Sequence, residues 1–246
     1  MTSVFLYGVH AVSAALQAGN RVQALWCDQD RRDQRINDLQ VLAQQDEVPV
    51  HLCSRRELSE RVGTDKHQGV IAACHPQSEY REGDLEHLLA RTPVPLVLVL
   101  DNVQDPHNLG ACLRSADAAG VSCVIVPRDN AAPVSAVVRK VASGAVESIP
   151  LVRVANLARS LRQLKDLGVW LVGMAGEAEQ SLYQVDLSGP IALLLGGEGK
   201  GLRRLTREHC DYLVSLPMAG MVSSINVSVA TGICLFEAVR QRQAAS

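Results

Sequence analysis

Aromatic residues are scarce in this chain. Two Trp, four Tyr and two Phe make up 3% of its 246 residues, while 47% are hydrophobic. A sizeable core is therefore available, and it must be aliphatic, built from Val, Leu, Ala and Ile. A dominant charge is also missing. Twenty-four basic residues against 26 acidic ones leave a net charge of −2, which gives no composition-level pull toward nucleic acid or a membrane surface. The seven cysteines are odd in number and scattered, with no Cys-x-x-Cys pair. That fits reduced thiols in a cytoplasmic protein better than a disulfide framework or a zinc site. The seven histidines have no metal-ligand spacing, so no metal is expected; His10, His67 and His107 fall in turns, where a satisfied or solvated ring is the default. No apolar run reaches 18 residues, so no transmembrane helix and no membrane partner is expected. The start, "MTSVFLYGVHAVSAAL", lacks a basic n-region and runs directly into amphipathic pattern, as mature structure does.

What is present alternates between two periods. Residues 7–18 predict a helix, 22–27 a strand, 32–45 a polar-faced helix, 49–53 a strand, 55–62 a short helix and 69–74 a strand. These make a small α/β/α unit over residues 1–75. The stretch "HPQSEYREGD" (75–84) loses periodicity and gains Pro, Gly and charge, so residues 76–90 are expected to be a linker. Beyond it, residues 91–246 form a second domain. Its apolar runs at 95–100, 121–126, 169–172, 191–195 and 212–216 read as strands buried on both faces. Helical patterns lie between them, with Leu157, Leu161, Leu164 and Leu167 on one face and Ile225, Val229, Ile233, Phe236 and Val239 on another. Strands alternating with helices predict a mostly parallel sheet covered on both sides.

Three turns in this second domain hold groups that a core does not need: "DNVQDPHNLGACLRSADAAG" (101–120), "LLLGGEGKGL" (193–202) and "LPMAGMVSSINVSVATGICLFE" (216–237). Each lies between an apolar strand-like run and a helix-like run, where open α/β sheets bind ligands. The glycine stretch is neither a P-loop, since Gly199-Lys200 is followed by Gly201, nor a dinucleotide fingerprint, since position 202 is Leu. Glu198, a carboxylate amid glycines, is placed to accept hydrogen bonds. Asn108 reads either as the cap of a helix starting near Leu109 or as a functional group. Arg114 lies six residues on, either on a solvated face or at a site. Ser223, Ser224 and Asn226 exceed what capping one helix requires.

The order Asn-x5-Arg, then Gly-x-Glu-x-x-Gly, then Pro-Met-x-Gly-x3-Ser-x-Asn-Val-Ser-x-Ala resembles the three signature motifs of the SpoU (TrmH) family, RNA ribose 2'-O-methyltransferases of the SPOUT superfamily. The likeness runs from about Leu96 to the C-terminus. "YGVHAV" (7–12) and "DKHQGVIA" (65–72) look like the L30-like RNA substrate-binding domain of many members. The resemblance implies an α/β-knot catalytic domain with a C-terminal trefoil knot, S-adenosyl-L-methionine as methyl donor, and a homodimer with its active site near the subunit interface. It implies that Asn108, Arg114, Glu198, Ser224 and Asn226 form the catalytic set, and that Gly196, Gly197, Gly201, Leu216, Met218 and Ile225 surround the cofactor. Within the family the pattern is nearest to members that methylate a guanosine of 23S rRNA in the peptidyl transferase centre P loop, free or in a large-subunit assembly intermediate. A tRNA ribose methyltransferase and a non-catalytic ribosome-assembly factor on the same fold are the alternatives. Residues 1–75 carry eight Lys/Arg against nine Asp/Glu, so RNA binding is expected to depend on local clusters, among them Arg31, Arg32 and Arg35, and Arg55, Arg56 and Arg61.

Overall fold

The structure is a computed structural model that describes residues 3–17, 21–75, 80–199 and 201–244. It divides into two compact units, residues 1–78 with 143–148, and residues 79–142 with 149–246.

In the first unit the strands are β1 (Val4–Tyr7), β2 (Val22–Asp28), β3 (Val50–Cys53) and β4 (Val70–Cys74), in sheet order β1-β4-β2-β3. β4 runs antiparallel to β1 and β2, and β3 runs parallel to β2. Its helices are α1 (Val9–Gln17), α2 (Gln34–Gln45) and α3 (Arg55–Val62). Period-2 alternation sends Leu6, Leu25, Cys27, Val70, Ala72 and Cys74 to one face, where they bury against Val12, Leu16, Ile36 and Leu39 of α1 and α2. Ser54 starts α3 with a reciprocal capping box to Glu57, and Gly63 ends it in the left-handed region at φ 68°. β1 was not expected, because its residues fall within or next to the stretch that reads as helix.

His67 closes the turn before β4. Its ring is wholly buried; Nδ1 accepts from the Gly69 amide (3.1 Å) and Nε2 lies 3.1 Å from Ser59 Oγ. The neutral imidazole with its hydrogen on Nε2 satisfies both contacts. Burial, and then the charge of Arg55, lower its pKa below the ordinary histidine value. The two N-terminal motifs meet beside it, where Gln68 Oε1 accepts from the Val9 amide (3.1 Å) and the Gly8 amide donates to Val70 O (3.1 Å).

The second unit is a six-stranded, wholly parallel sheet. Its strands are β5 (Leu96–Asp101), β6 (Cys123–Pro127), β7 (Leu151–Val154), β8 (Trp170–Met174), β9 (Ile191–Gly196) and β10 (Tyr212–Val214), in order β10-β8-β9-β5-β6-β7. Helices α4 (Leu85–Leu89), α5 (Pro106–Ala118), α6 (Ala136–Ala142), α8 (Leu157–Asp166), α9 (Arg204–His209) and α10 (Val227–Ala244) accompany it; the short α7 (Ala145–Ser148) groups with the first unit. Strand order reverses beside β5: the chain steps outward through β6 and β7, then returns on the other side to place β9 against β5. Ligands bind at the carboxyl ends of strands at such a reversal. The parallel α/β architecture agrees with the sequence reading. Of the expected linker, residues 76–79 lie outside the described residues. Residues 82–89 carry a 3-10 turn and α4, whose Leu85, Leu88 and Leu89 are buried in the second unit's core. Among the described residues no helix is long and apolar enough to cross a membrane.

Candidate active site

The carboxyl ends of β5 and β9 are locked together before any ligand is considered. Asp101, the last residue of β5, is fully buried and accepts from the Arg203 amide (3.0 Å), Arg203 Nε (2.6 Å) and Thr206 Oγ1 (2.7 Å). That carboxylate ties the start of α9 back to the central strand. Between them runs the glycine turn, closed by Gly201 N donating to Gly197 O (3.1 Å). Glycine is required here for close approach. A Cβ on Gly196 would stand 1.9 Å from the Gly201 carbonyl carbon, and one on Gly197 would stand 2.0 Å from Asn102 O. Gly199 and Gly201 also adopt φ of +77° and +60°.

This turn delivers Glu198 to two amides from distant parts of the chain. Asn108 Nδ2 donates to Glu198 Oε1 (2.7 Å), and Asn226 Nδ2 reaches both Glu198 Oε1 (3.0 Å) and Asn108 Oδ1 (2.9 Å). Asn226 Oδ1 in turn accepts from the Ser228 amide (2.8 Å) and hydroxyl (2.6 Å), capping α10. The three motifs thus converge on one polar triangle.

The capping reading of Asn108 is corrected. The cap of α5 is Asp105, which accepts from the amides of His107 (2.6 Å) and Asn108 (3.4 Å), with Pro106 as the first helical residue. Proline there sacrifices no hydrogen bond and fixes the helical φ. The Asn108 side chain is thereby released to the triangle. Capping of α10 likewise falls to Asn226, so Ser223 and Ser224 stand free of that duty.

Two cavities flank Glu198. The larger, about 440 Å³, is lined by the glycine turn, by Met174 at the end of β8 with Ala175 and Gly176 just after it, by Ser215, Leu216 and Met218, and by Ser223–Val227 and Ala230. All six residues expected around the cofactor line it: Gly196, Gly197, Gly201, Leu216, Met218 and Ile225. So do Glu198, Ser224 and Asn226 from the catalytic set. The smaller, about 270 Å³, is lined by Asn102–Asp105, Asn108, Glu198 and Val227. Sequence reasoning missed Met174, Ala175 and Gly176; the only signal was the strand end itself, at 172–176, opening onto the same edge. Lys200, expected to face solvent or RNA, lies outside the described residues.

Arg114 is the one expected catalytic residue that lines neither cavity. It is exposed on the outward face of α5, roughly 9 Å along the axis from Asn108 and about a third of a turn around it. A second outward feature lies on α10, which packs against α5 through Cys112 Sγ and Thr231 Oγ1 (3.3 Å). There Val229, Ile233 and Phe236 are 53%, 36% and 50% exposed, while Val227, Thr231, Cys234, Leu235 and Ala238 take the core. The apolar stripe read from the sequence therefore points away from the sheet. Among the described residues, no group of three or more His, Cys, Asp or Glu is placed to hold a metal. Burial pushes the thiols of Cys112 up to about 11 and of Cys123 and Cys234 up to about 12, so these cysteines are inert core residues.

Known proteins match this arrangement along its length. The SpoU rRNA Methylase family matches residues 95–236, and a family described as RNA 2'-O ribose methyltransferase substrate binding matches residues 5–80. A Pseudomonas putida protein named 23S rRNA (guanosine-2'-O-)-methyltransferase RlmB is 59% identical over 240 residues, covering 97% of this chain and 96% of that one. The Escherichia coli K12 protein of the same name is 54% identical over 98% of this chain and 99% of its own. Among solved structures, the SpoU methyltransferase AviRb of Streptomyces viridochromogenes, in complex with AdoMet, superposes with a TM-score of 0.78 at 28% identity, covering 98% of this chain and 91% of that one.

Proposed function

We propose, from the fact that this chain belongs to the SpoU rRNA Methylase family, that it transfers a methyl group from S-adenosylmethionine to the ribose 2'-hydroxyl of a guanosine in 23S rRNA. The observation that carries the reading is the convergence of Asn108, Glu198 and Asn226 at the mouth of a cleft lined by every residue expected around the cofactor. The relatives' shared name supplies the substrate.

The cleft suits the donor. Met218, Leu216 and Ile225 offer apolar wall for an adenine, and the bare backbone of the glycine turn admits hydrogen bonding without side chains in the way. S-adenosylmethionine supplies a methyl already activated by a sulfonium charge. The task left to the protein is the alcohol, whose proton passes to solvent water as the 2'-oxygen takes the methyl and S-adenosylhomocysteine leaves. Arg114 is the group for the developing oxyanion. A guanidinium donates and does not accept protons at neutral pH, so its role is charge stabilisation of the 2'-oxygen and an adjacent phosphate. The Asn108–Glu198–Asn226 triangle fixes the ribose, and Ser224 adds a hydroxyl for ribose or phosphate.

Because Arg114 stands outside its own cleft, we place it in the active site of a second copy. The exposed Val229–Ile233–Phe236 stripe on the helix packed against α5 supports such a homodimer. The trefoil knot and a cytoplasmic location belong to the same reading.

Incubation with tritiated S-adenosylmethionine and total unmodified RNA, followed by mapping of the label, tests the function. One labelled 2'-O-methylguanosine in the 23S P loop is expected. Label in tRNA would move the enzyme to another substrate, and no label would make it a binding protein.

A further inference from the structure

The chain's few aromatic residues are not spread evenly. Three of the eight, Phe5, Tyr7 and Trp26, lie on one face of the first unit's sheet. They sit opposite Leu6, Leu25 and Cys27, which enter the core. His51 joins them from β3, paired in register with Trp26. Its ring stacks on Trp26 with centroids 5.3 Å apart at 24°, Phe5 meets Trp26 edge-on at 6.0 Å, and the Arg61 guanidinium lies 4.9 Å from the Trp26 ring centre. The set spans β1, β2, β3 and the last turn of α3. It is anchored below by Ile71, wholly buried and paired with Tyr7 on one side and Trp26 on the other. Phe5 and Tyr7 remain 38% and 37% exposed, and His51 is exposed.

Packing accounts for part of this face, because α3 lies on β2 and β4 and buries Leu58 and Ile71 beside Trp26; it does not account for the exposed rings of Phe5, Tyr7 and His51 at its edge. In an aliphatic protein, Val or Thr on an outward strand position would cost nothing, and large exposed rings are a liability unless something covers them. The chemistry on offer is π-surface, an imidazole and a guanidinium. That combination stacks planar, electron-rich heterocycles attached to an anionic backbone. Arg61 is exposed, so a phosphate can be met at the rim.

We propose that the Phe5–Tyr7–Trp26–His51 face is a stacking platform for unpaired RNA bases, with Arg61 at its phosphate edge. The proposal rests on the reading of the chain as an RNA methyltransferase and specifies how its first unit holds substrate: by single-stranded bases rather than by duplex backbone. The unit's near-neutral charge agrees with this, because stacking needs no basic surface.

Trp26 is its own reporter. In the full-length chain carrying Trp170→Phe, a 12-nucleotide unstructured RNA is titrated while Trp26 emission is followed. Quenching is expected, stronger with the single strand than with the same sequence as a duplex. Phe5→Ala combined with His51→Ala should weaken binding on the order of tenfold or more. Leu52→Ala, on the opposite face of β3, should leave it unchanged, and S-adenosylmethionine affinity should be the same in all variants. Unaltered emission, unaltered RNA affinity in the folded double variant, or preference for the duplex overturns the platform. A change of oligomeric state with RNA affinity intact would make the face a protein interface and also overturns it. Methylation of rRNA by the parent chain is measured alongside: if it persists while the platform fails, only this inference falls, whereas its loss would remove the enzymatic reading itself.

Discussion

At the scale of single residues, Glu198 is the pivot of the site. Both amide donors fall on Oε1, so Oε2 keeps its acceptor capacity. Glu198→Gln is nearly isosteric, yet it removes the charge and can turn an NH2 against the amides of Asn108 and Asn226. Turnover should fall on the order of 100-fold with S-adenosylmethionine affinity changed far less; a variant with parental turnover would remove Glu198 from the mechanism. His67 gives a second residue-scale prediction. Its folded pKa lies below the ordinary histidine value because burial disfavours the cation. The unfolded chain thus binds the extra proton more readily, and stability rises with pH. The contribution is complete above about pH 6.5 and is lost as pH falls through the lower folded value, where a proton on Nδ1 would face the Gly69 N–H. Exchange protection of the Gly69 amide, corrected for intrinsic rate, should drop from pH 7 to pH 5. Flat protection would mean that His67 does not hold the turn.

At the scale of elements, the turn between β9 and α9 is held by its own backbone and by one carboxylate. Gly196→Val should abolish S-adenosylmethionine binding, because the new Cβ collides with Gly201 and Leu202 of the same turn. Asp101→Ala leaves Thr206 and the Arg203 amide without their buried acceptor. It should lower unfolding stability by roughly 2–4 kcal/mol and loosen cofactor binding, read by urea denaturation and calorimetry; an unchanged unfolding midpoint would show that Asp101 does not anchor the turn. The elements themselves were legible where one signal dominated. β5, β6 and β9 are apolar on both faces and read as unbroken runs; α3 carries its Ser cap, Glu at the third position and Gly stop in the sequence. β1 and β7 were not legible, because each runs directly into a helical pattern. α4 was hidden because its leucines follow a charged, irregular stretch. For the site, the three motifs located the right turns, but spacing could not reveal that Asp105 rather than Asn108 caps α5. Nor could it place the end of β8 in the cleft, since both depend on contacts between segments far apart in sequence.

At the scale of the whole molecule, the position of Arg114 decides whether one chain is enough. The cleft, the triangle and the glycine turn belong to one protomer, while Arg114 faces outward from α5 and lines neither cavity. If each active site borrows Arg114 from its partner, Arg114→Ala and Glu198→Ala chains are each inactive alone but complement each other. In a mixed pair, the intact Glu198 cleft of one chain meets the intact Arg114 of the other, and the second site carries both defects. Random reassortment of equal amounts puts half the chains in mixed pairs with one working site each, so activity should recover to about a quarter of the parental value per chain. Replacing Phe236 or Ile233 with Asp in both chains, which places charge in the apolar stripe of α10, should abolish the recovery together with the dimer seen by sedimentation. If the mixture stays inactive although mixed pairs form, Arg114 serves the cleft of its own chain, and α5 must move inward when RNA binds.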